Sequence, residues 1–139
     1  MKIVLDTNVL VSALRSRRGA SFALVSKVPS EGFHLALSVP MYVEYQDVLL
    51  RDGKAPAFTN KEKLEFLRYL CKQSHHQEIF YLWRPFLRDP KDDMVLELAV
   101  ASGSQYIATH NVRDFSGSEK FGIKALTPQN ILKILEKNK

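Results

Sequence analysis

Short apolar runs of strand length alternate along this chain with longer stretches of helical periodicity, and that alternation is the tightest constraint on its fold. Residues 2–5, 33–37, 106–108 and 123–126 read as strands, and 79–82 is a further candidate whose end is obscured by Trp83, Pro85 and Phe86. Between them, Val9, Leu10, Ala13 and Leu14 recur at helical spacing. A second helix is expected over Phe22, Ala23 and residues 25–28, after the break at residues 16–19. Pro40, tolerated in a first helical turn, opens a helix over 40–50. Thr59 and Glu62 have capping-box spacing, so 61–74 should be helical. Residues 94–101 are apolar on nearly every side and end at Gly103, the pattern of a buried helix with a glycine just past its end. A last helix starts at Thr127-Pro128 and runs through Ile131, Leu132 and Leu135. Strands alternating with helices predict an α/β fold, with a mainly parallel central sheet, helices on both faces and right-handed crossovers. The length, 139 residues without repeat or linker, predicts one domain over 1–139.

Net charge bears on partners rather than on fold. At +5, with a pI near 9.4, the chain favours polyanions. No apolar run is long enough to span a bilayer, and the first strand begins too early to leave room for an export signal. Cys71 is the single cysteine, which excludes an intrachain disulfide and suits a reducing, cytoplasmic compartment; it reads as a structural helix residue. His75 and His76 read as a helix-end feature.

The carboxylates carry the chemistry. Ligands of open α/β sheets bind beyond the carboxyl ends of the strands, where both Asp6 and Asp114 fall. Each has a plain structural alternative, Asp6 as a helix cap and Asp114 as a turn former. Glu44 shares an apolar stripe with Met41, Tyr45, Val48 and Leu49, where an unpaired carboxylate is costly; an internal salt bridge is the alternative to a ligand role. Asp89, Asp92 and Asp93 precede the buried helix, and capping explains one of them more readily than three. Hard oxygen donors without a Cys or His cluster indicate Mg²⁺ or Mn²⁺.

Five segments together resemble the PIN-domain family, and within it the VapC-like toxins of toxin–antitoxin systems. They are Ile-Val-Leu-Asp-Thr-Asn-Val-Leu-Val-Ser-Ala at 3–13, residues 38–49 around Glu44, Arg-Asp-Pro-Lys-Asp-Asp at 88–93, Tyr-Ile-Ala-Thr-His-Asn-Val-Arg-Asp-Phe at 106–115, and Phe-Gly-Ile-Lys-Ala-Leu-Thr-Pro at 121–128. The resemblance implies a three-layer fold whose acidic residues bind one or two Mg²⁺ or Mn²⁺ ions and hydrolyse RNA phosphodiesters. Asp6, Glu44, Asp93 and Asp114 match its four acidic positions, and Asn8 and Thr109 match polar positions beside them that orient the carboxylates. Between Asp92 and Asp93, the distance to Thr109 favours Asp93; His110 receives no role. The partners implied are an RNA substrate and an antitoxin protein, with room for a homodimer. Arg15, Arg17 and Arg18 are candidates for phosphate contacts.

Two other readings compete. A haloacid-dehalogenase-like phosphatase also places an aspartate after its first strand, but it needs a second two residues on, where this chain has Asn8. A PIN-like binding module with degenerate chemistry would act through a protein partner or an RNA scaffold; the presence of all four acids weighs against it.

Overall fold

The computed structural model describes residues 1–79 and 86–137. Its elements run β1 (Lys2–Leu5), α1 (Thr7–Arg15), α2 (Ala20–Val25), β2 (His34–Leu37), α3 (Val39–Leu49), α4 (Asn60–Gln73), β3 (His75–His76), α5 (Pro90–Ser102), β4 (Tyr106–Ala108), β5 (Lys124–Leu126) and α6 (Pro128–Lys137). All strand pairings are parallel, in the order β3-β2-β1-β4-β5. The chain therefore winds from β1 outward to β3 and then returns past β1 to β4 and β5. Right-handed crossovers place the connections of these two directions on opposite faces of the sheet. The result is an α/β fold of three layers, with the sheet in the middle.

Local chemistry explains most boundaries. Ser38 caps α3 by accepting from the Met41 N–H, with Pro40 in the first turn. Thr59 and Glu62 form the reciprocal capping box at the start of α4. Gly103 ends α5 in the left-handed conformation at φ +69°, which a residue with a Cβ adopts at a cost. Helix α2 stops at Val25 rather than at 28, and the Ser26 hydroxyl and N–H both bond to the Phe22 carbonyl there.

The two histidines depart from expectation. His75 and His76 form a short parallel edge strand against Ala36 and Leu37, although neither side chain is buried. The His76 ring also bonds to the Cys71 carbonyl in the last turn of α4, so the helix-end role and the strand coexist. The strand expected at 79–82 lies, apart from Ile79, outside the described residues, and Ile79 is in no strand.

The core is apolar and continuous. Ile3, Val4 and Leu5 of β1, with Ile107 and Ala108 of β4, are covered by Val95, Leu96, Leu98 and Ala99 of α5 and by Val9 and Leu10 of α1. Among the described residues no helix is long and apolar enough to cross a membrane.

Candidate active site

Because strand order reverses direction about β1 and β4, a crevice opens where their carboxyl ends lie side by side. The register pairs Leu5 with Ala108, which sets Asp6 level with Thr109. The Asp6 N–H donates to the Ala108 carbonyl at 2.9 Å, and the Thr109 N–H donates to the Leu126 carbonyl at 2.9 Å. Backbone pairing alone thus brings these two side chains together.

Asp6 is held from two sides. Its Oδ1 accepts from the Thr7 N–H at 2.9 Å, as a capping residue of α1, and its Oδ2 accepts from the Thr109 hydroxyl at 2.7 Å. Thr109 is fully buried, and its Oγ1 in turn accepts from the Asn111 N–H at 3.0 Å. Burial pushes the Asp6 carboxyl above its ordinary pKa. The bonds from Thr109 and Thr7 oppose that rise, the charge of Asp114 adds to it, and His110 counters it. Asp6 caps α1 and at the same time accepts from Thr109 at the end of β4, so capping does not exclude the role that the resemblance implies for it. Asn8 Oδ1 accepts from the His110 N–H at 3.4 Å, which ties the start of α1 to the turn after β4. The His110 ring meets the Ser21 hydroxyl at 3.0 Å, so the residue left without a role lies beside the first acid.

Glu44 lies mostly shielded on α3, its side chain 16% exposed, with Lys91 Nζ 3.9 Å from Oε1. The next residue, Tyr45, is buried and donates its hydroxyl to the Leu5 carbonyl. That bond ties α3 to the end of β1, immediately before Asp6. Burial raises the Tyr45 pKa, and the Asp6 charge raises it further.

The three aspartates ahead of α5 divide their labour. Asp89 caps the helix, accepting from the Lys91 N–H at 2.9 Å. Asp93, expected to be the third acid, is 1% exposed, and its Oδ1 accepts from the N–H groups of Leu87 at 2.8 Å and Phe86 at 3.3 Å. Asp92 instead feels the charges of Asp6 and Asp114. Its pKa is pushed up to about 7, by burial first and then by Asp6, Asp89, Asp114 and Asp93. Asp92 and Asp114 line one cleft of about 720 Å³, and Arg88 and Arg113 line it too. Asp114 sits exposed on a 3₁₀ turn, Val112–Phe115, that follows β4.

The sequence alone favours Asp93 over Asp92 and singles out neither Arg88 nor Arg113. The signal for the arginines was present, since each directly precedes an aspartate in a motif segment. The arginine cluster after α1 is exposed but split: Arg15 lines a groove with Asn8 and Lys54, whereas Arg17 lines a separate apolar groove with Phe22 and Phe66. Among the described residues, no three His, Cys, Asp or Glu side chains are gathered closely enough to form a ready metal-binding group.

Comparison with known proteins places the fold. No curated protein matches the chain. Solved structures do: VapBC2 from Rickettsia felis bound to a DNA fragment from their promoter matches with a TM-score of 0.63 at 14% identity, over 91% of this chain and 98% of that one. VapBC-1 from nontypeable Haemophilus influenzae matches with a TM-score of 0.59 at 16% identity, over 93% and 99%. FitAcB from Neisseria gonorrhoeae matches with a TM-score of 0.55 at 16% identity, over 91% and 98%. At such identities the likeness is one of fold. The PIN domain family model, however, matches the sequence itself over residues 2–113, from the first strand into the turn that carries the last acid, and this chain belongs to the PIN-domain family.

Proposed function

We propose that the chain is a Mg²⁺- or Mn²⁺-dependent endoribonuclease, acting as the toxin of a toxin–antitoxin pair. The observation that carries the catalytic part is that burial, with the charge of Asp114, holds the Asp6 carboxyl above its ordinary pKa against the bonds from Thr109 and Thr7, and that burial, with the charges of Asp6, Asp89, Asp114 and Asp93, does the same to Asp92 in the first turn of α5. Like charges held together in a partly buried crevice cost stability unless a cation or protons offset them. An all-oxygen donor set fits a hard divalent ion. Asp6, Asp92 and Asp114, which this structure does not gather into one tight group, would hold it, with Glu44 alongside; Asp92 takes the place expected for Asp93, whose oxygens are committed to the Phe86 and Leu87 N–H groups. Such an ion activates water near neutral pH and stabilises the charge that builds on a phosphoryl group.

The chain's own residues do the rest. Thr109 and the Thr7 N–H fix the Asp6 carboxylate so that it need not reorganise when charge develops nearby. Lys91 beside Glu44 balances charge at the edge of the crevice. Arg88 and Arg113 are placed along the cleft to hold backbone phosphates. The toxin role is supported by the VapC-like motif segments and by the fold likeness to VapBC complexes, and it brings an antitoxin protein as partner.

The test is cleavage of end-labelled RNA by the purified chain with Mg²⁺ or Mn²⁺, with EDTA, and with Asp6→Asn. Cleavage that needs the ion and is lost on the order of a hundredfold in Asp6→Asn is expected. Undiminished cleavage in excess chelator would remove the mechanism, and binding without cleavage under any metal would favour the degenerate binding module.

A further inference from the structure

The turn after β4 carries a histidine that the catalytic reading leaves unused. His110 directly follows Thr109, the residue that holds Asp6, and its charge reaches the Asp6 carboxyl. The other three histidines lie elsewhere: His34 opens β2 at the amino end of the sheet, and His75 and His76 form the edge strand β3. A histidine on a turn is ordinarily a solvated side chain, but two bonds set this one apart. Its backbone N–H donates to Asn8 Oδ1 at 3.4 Å, which fixes the turn against the start of α1. Its ring Nε2 meets the Ser21 hydroxyl at 3.0 Å, and Ser21, on α2, is 2% exposed. A buried hydroxyl needs a partner, and here the partner is the imidazole. Backbone and ring are thus held by two different helices, while the residue as a whole stays exposed. Nδ1 bonds to no group among the described residues. The ring is anchored through one nitrogen and has the other to offer.

The crevice otherwise lacks a proton to give. Carboxylates that hold a cation do so ionised, so on the reading above Asp6, Asp92, Asp114 and Glu44 bring none to the reaction. Arg88 and Arg113 at the cleft are guanidinium groups, which keep their protons, and Lys91 faces Glu44. Yet a ribose oxygen that departs from phosphorus leaves as an alkoxide unless it is protonated as the bond breaks. Imidazole is the side chain best suited to take up and release a proton near neutrality.

We propose that His110, anchored by Ser21 and Asn8, is a further catalytic residue of this site and donates its Nδ1 proton to the departing ribose oxygen. This rests on the nuclease reading and deepens it. Water adds to phosphorus through its oxygen and releases one proton to solvent. The bond from phosphorus to the ribose oxygen breaks, its electron pair stays on that oxygen, and the Nδ1 proton joins it to give a free hydroxyl. The ring is left neutral with its remaining proton on Nε2, and a proton from solvent restores it. Ser21 is a positioning residue, because its hydroxyl accepts from Nε2–H both before and after the transfer.

The experiment compares leaving groups. The ends of the wild-type products first identify the scissile link of one oligoribonucleotide and the bridging oxygen that departs. A second copy of the strand carries sulfur in place of that oxygen, since a thiolate leaves without a proton. Single-turnover cleavage of both strands is then measured with Mn²⁺ for the wild-type chain, His110→Gln and Ser21→Ala. His110→Gln should cleave the oxygen link about 10²- to 10⁴-fold more slowly than the wild type, and the sulfur link within several-fold of it. Ser21→Ala, which keeps the imidazole but frees it, should lose less on the oxygen link and nothing on the sulfur link. In the metal-free chain, long-range ¹H–¹⁵N spectra should show the His110 Nε2 resonance moving in Ser21→Ala. Thermal melts of both variants should stay near the wild type; if His110→Gln does not fold, Ser21→Ala carries the comparison. Equal losses on the two links would overturn the proposal and leave His110 a support of the turn, and unchanged rates on both would overturn it too. An unmoved Nε2 resonance would overturn the anchoring by Ser21. If the wild-type chain cleaves but the leaving-group pattern is absent, only the proton donor fails. If it cleaves neither link with Mn²⁺ or Mg²⁺, the nuclease reading fails and the proton donor with it.

Discussion

Asp92 and Asp93 occupy neighbouring positions in the first turn of α5, about 100° apart around the helix, and that rotation gives them different work. Asp93 turns inward, where the N–H groups of residues 86 and 87 need an acceptor; Asp92 turns to the cleft. Nothing in the local sequence distinguishes the two, because the deciding contact comes from a loop whose path one sequence does not specify. Their amide variants should therefore separate. Asp92→Asn should lower RNA cleavage on the order of a hundredfold while costing the helix only a few tenths of a kcal/mol. Asp93→Asn should instead destabilise the fold by about 1–3 kcal/mol in urea unfolding, since a neutral amide oxygen accepts more weakly than the carboxylate from the two N–H groups, and an amide NH₂ replaces the second oxygen, 3.4 Å from the Phe86 nitrogen. The reverse pattern would restore Asp93 as the ligand. A pH test follows from the direction of the Asp92 shift. With its folded pKa near 7 and its ordinary value at 3.8, the folded chain keeps a proton that the unfolded chain has released. Stability of the metal-free protein therefore falls as pH rises from about 4 through 7. Asp92→Asn removes that loss, so in EDTA its Tm should pass above that of the wild type at pH 8 and converge with it toward pH 4. Thermal melts across this range check the sign, and a gap that widens on acidification would contradict it.

At the scale of elements, legibility followed local chemistry. The strands at 2–5 and 106–108, the capping box before α4 and the glycine after α5 lie where the sequence put them, because each is specified by residues within a turn of the boundary. β3 was not legible: its two histidines carry no apolar signal, and it is a strand only because it pairs with Ala36 and Leu37. The same holds for the 3₁₀ turn at Ser118–Phe121, whose Phe121 ring meets the Phe86 ring edge to face. Tyr45 belongs to this class. In sequence it is one more member of the α3 stripe, yet its hydroxyl ties α3 to the last carbonyl of β1 and so fixes the helix bearing Glu44 relative to Asp6. Tyr45→Phe keeps the packing and deletes that bond. It should lower unfolding free energy by about 1–2 kcal/mol. It should also slow cleavage by less than Asp6→Asn does. Denaturant unfolding of the variant and wild-type chains, with the cleavage rates alongside, checks both statements; an unchanged midpoint would mean the bond contributes nothing to docking α3.

For the molecule as a whole, the decisive contrast is an acidic crevice set in a chain of net charge +5. The aspartates of the crevice repel phosphate unless a cation offsets them, so on the nuclease reading proposed above the attraction for RNA would come from basic residues, Arg88 and Arg113 at the cleft and others beyond it. Arg15, Arg17 and Arg18 read as one cluster in sequence, but the end of α1 divides them between surfaces. Arg15 shares a groove with Asn8 and Lys54, beside the helix that begins at Asp6, while Arg17 opens on an apolar groove formed with α2 and α4. On the nuclease reading, an RNA strand that left the acidic cleft along α1 would pass Arg15 and not Arg17. Each phosphate of a single strand that a variant no longer neutralises should reduce the slope of log affinity against log salt by about 0.7. Arg15→Gln should thus flatten the slope by about that amount, and Arg17→Gln should leave it unchanged; anisotropy titrations of one fluorescent single strand over a series of salt concentrations in EDTA measure both. Equal flattening by the two variants would return the arginines to a single undivided patch, and no change in either would place the RNA path on another face of the molecule.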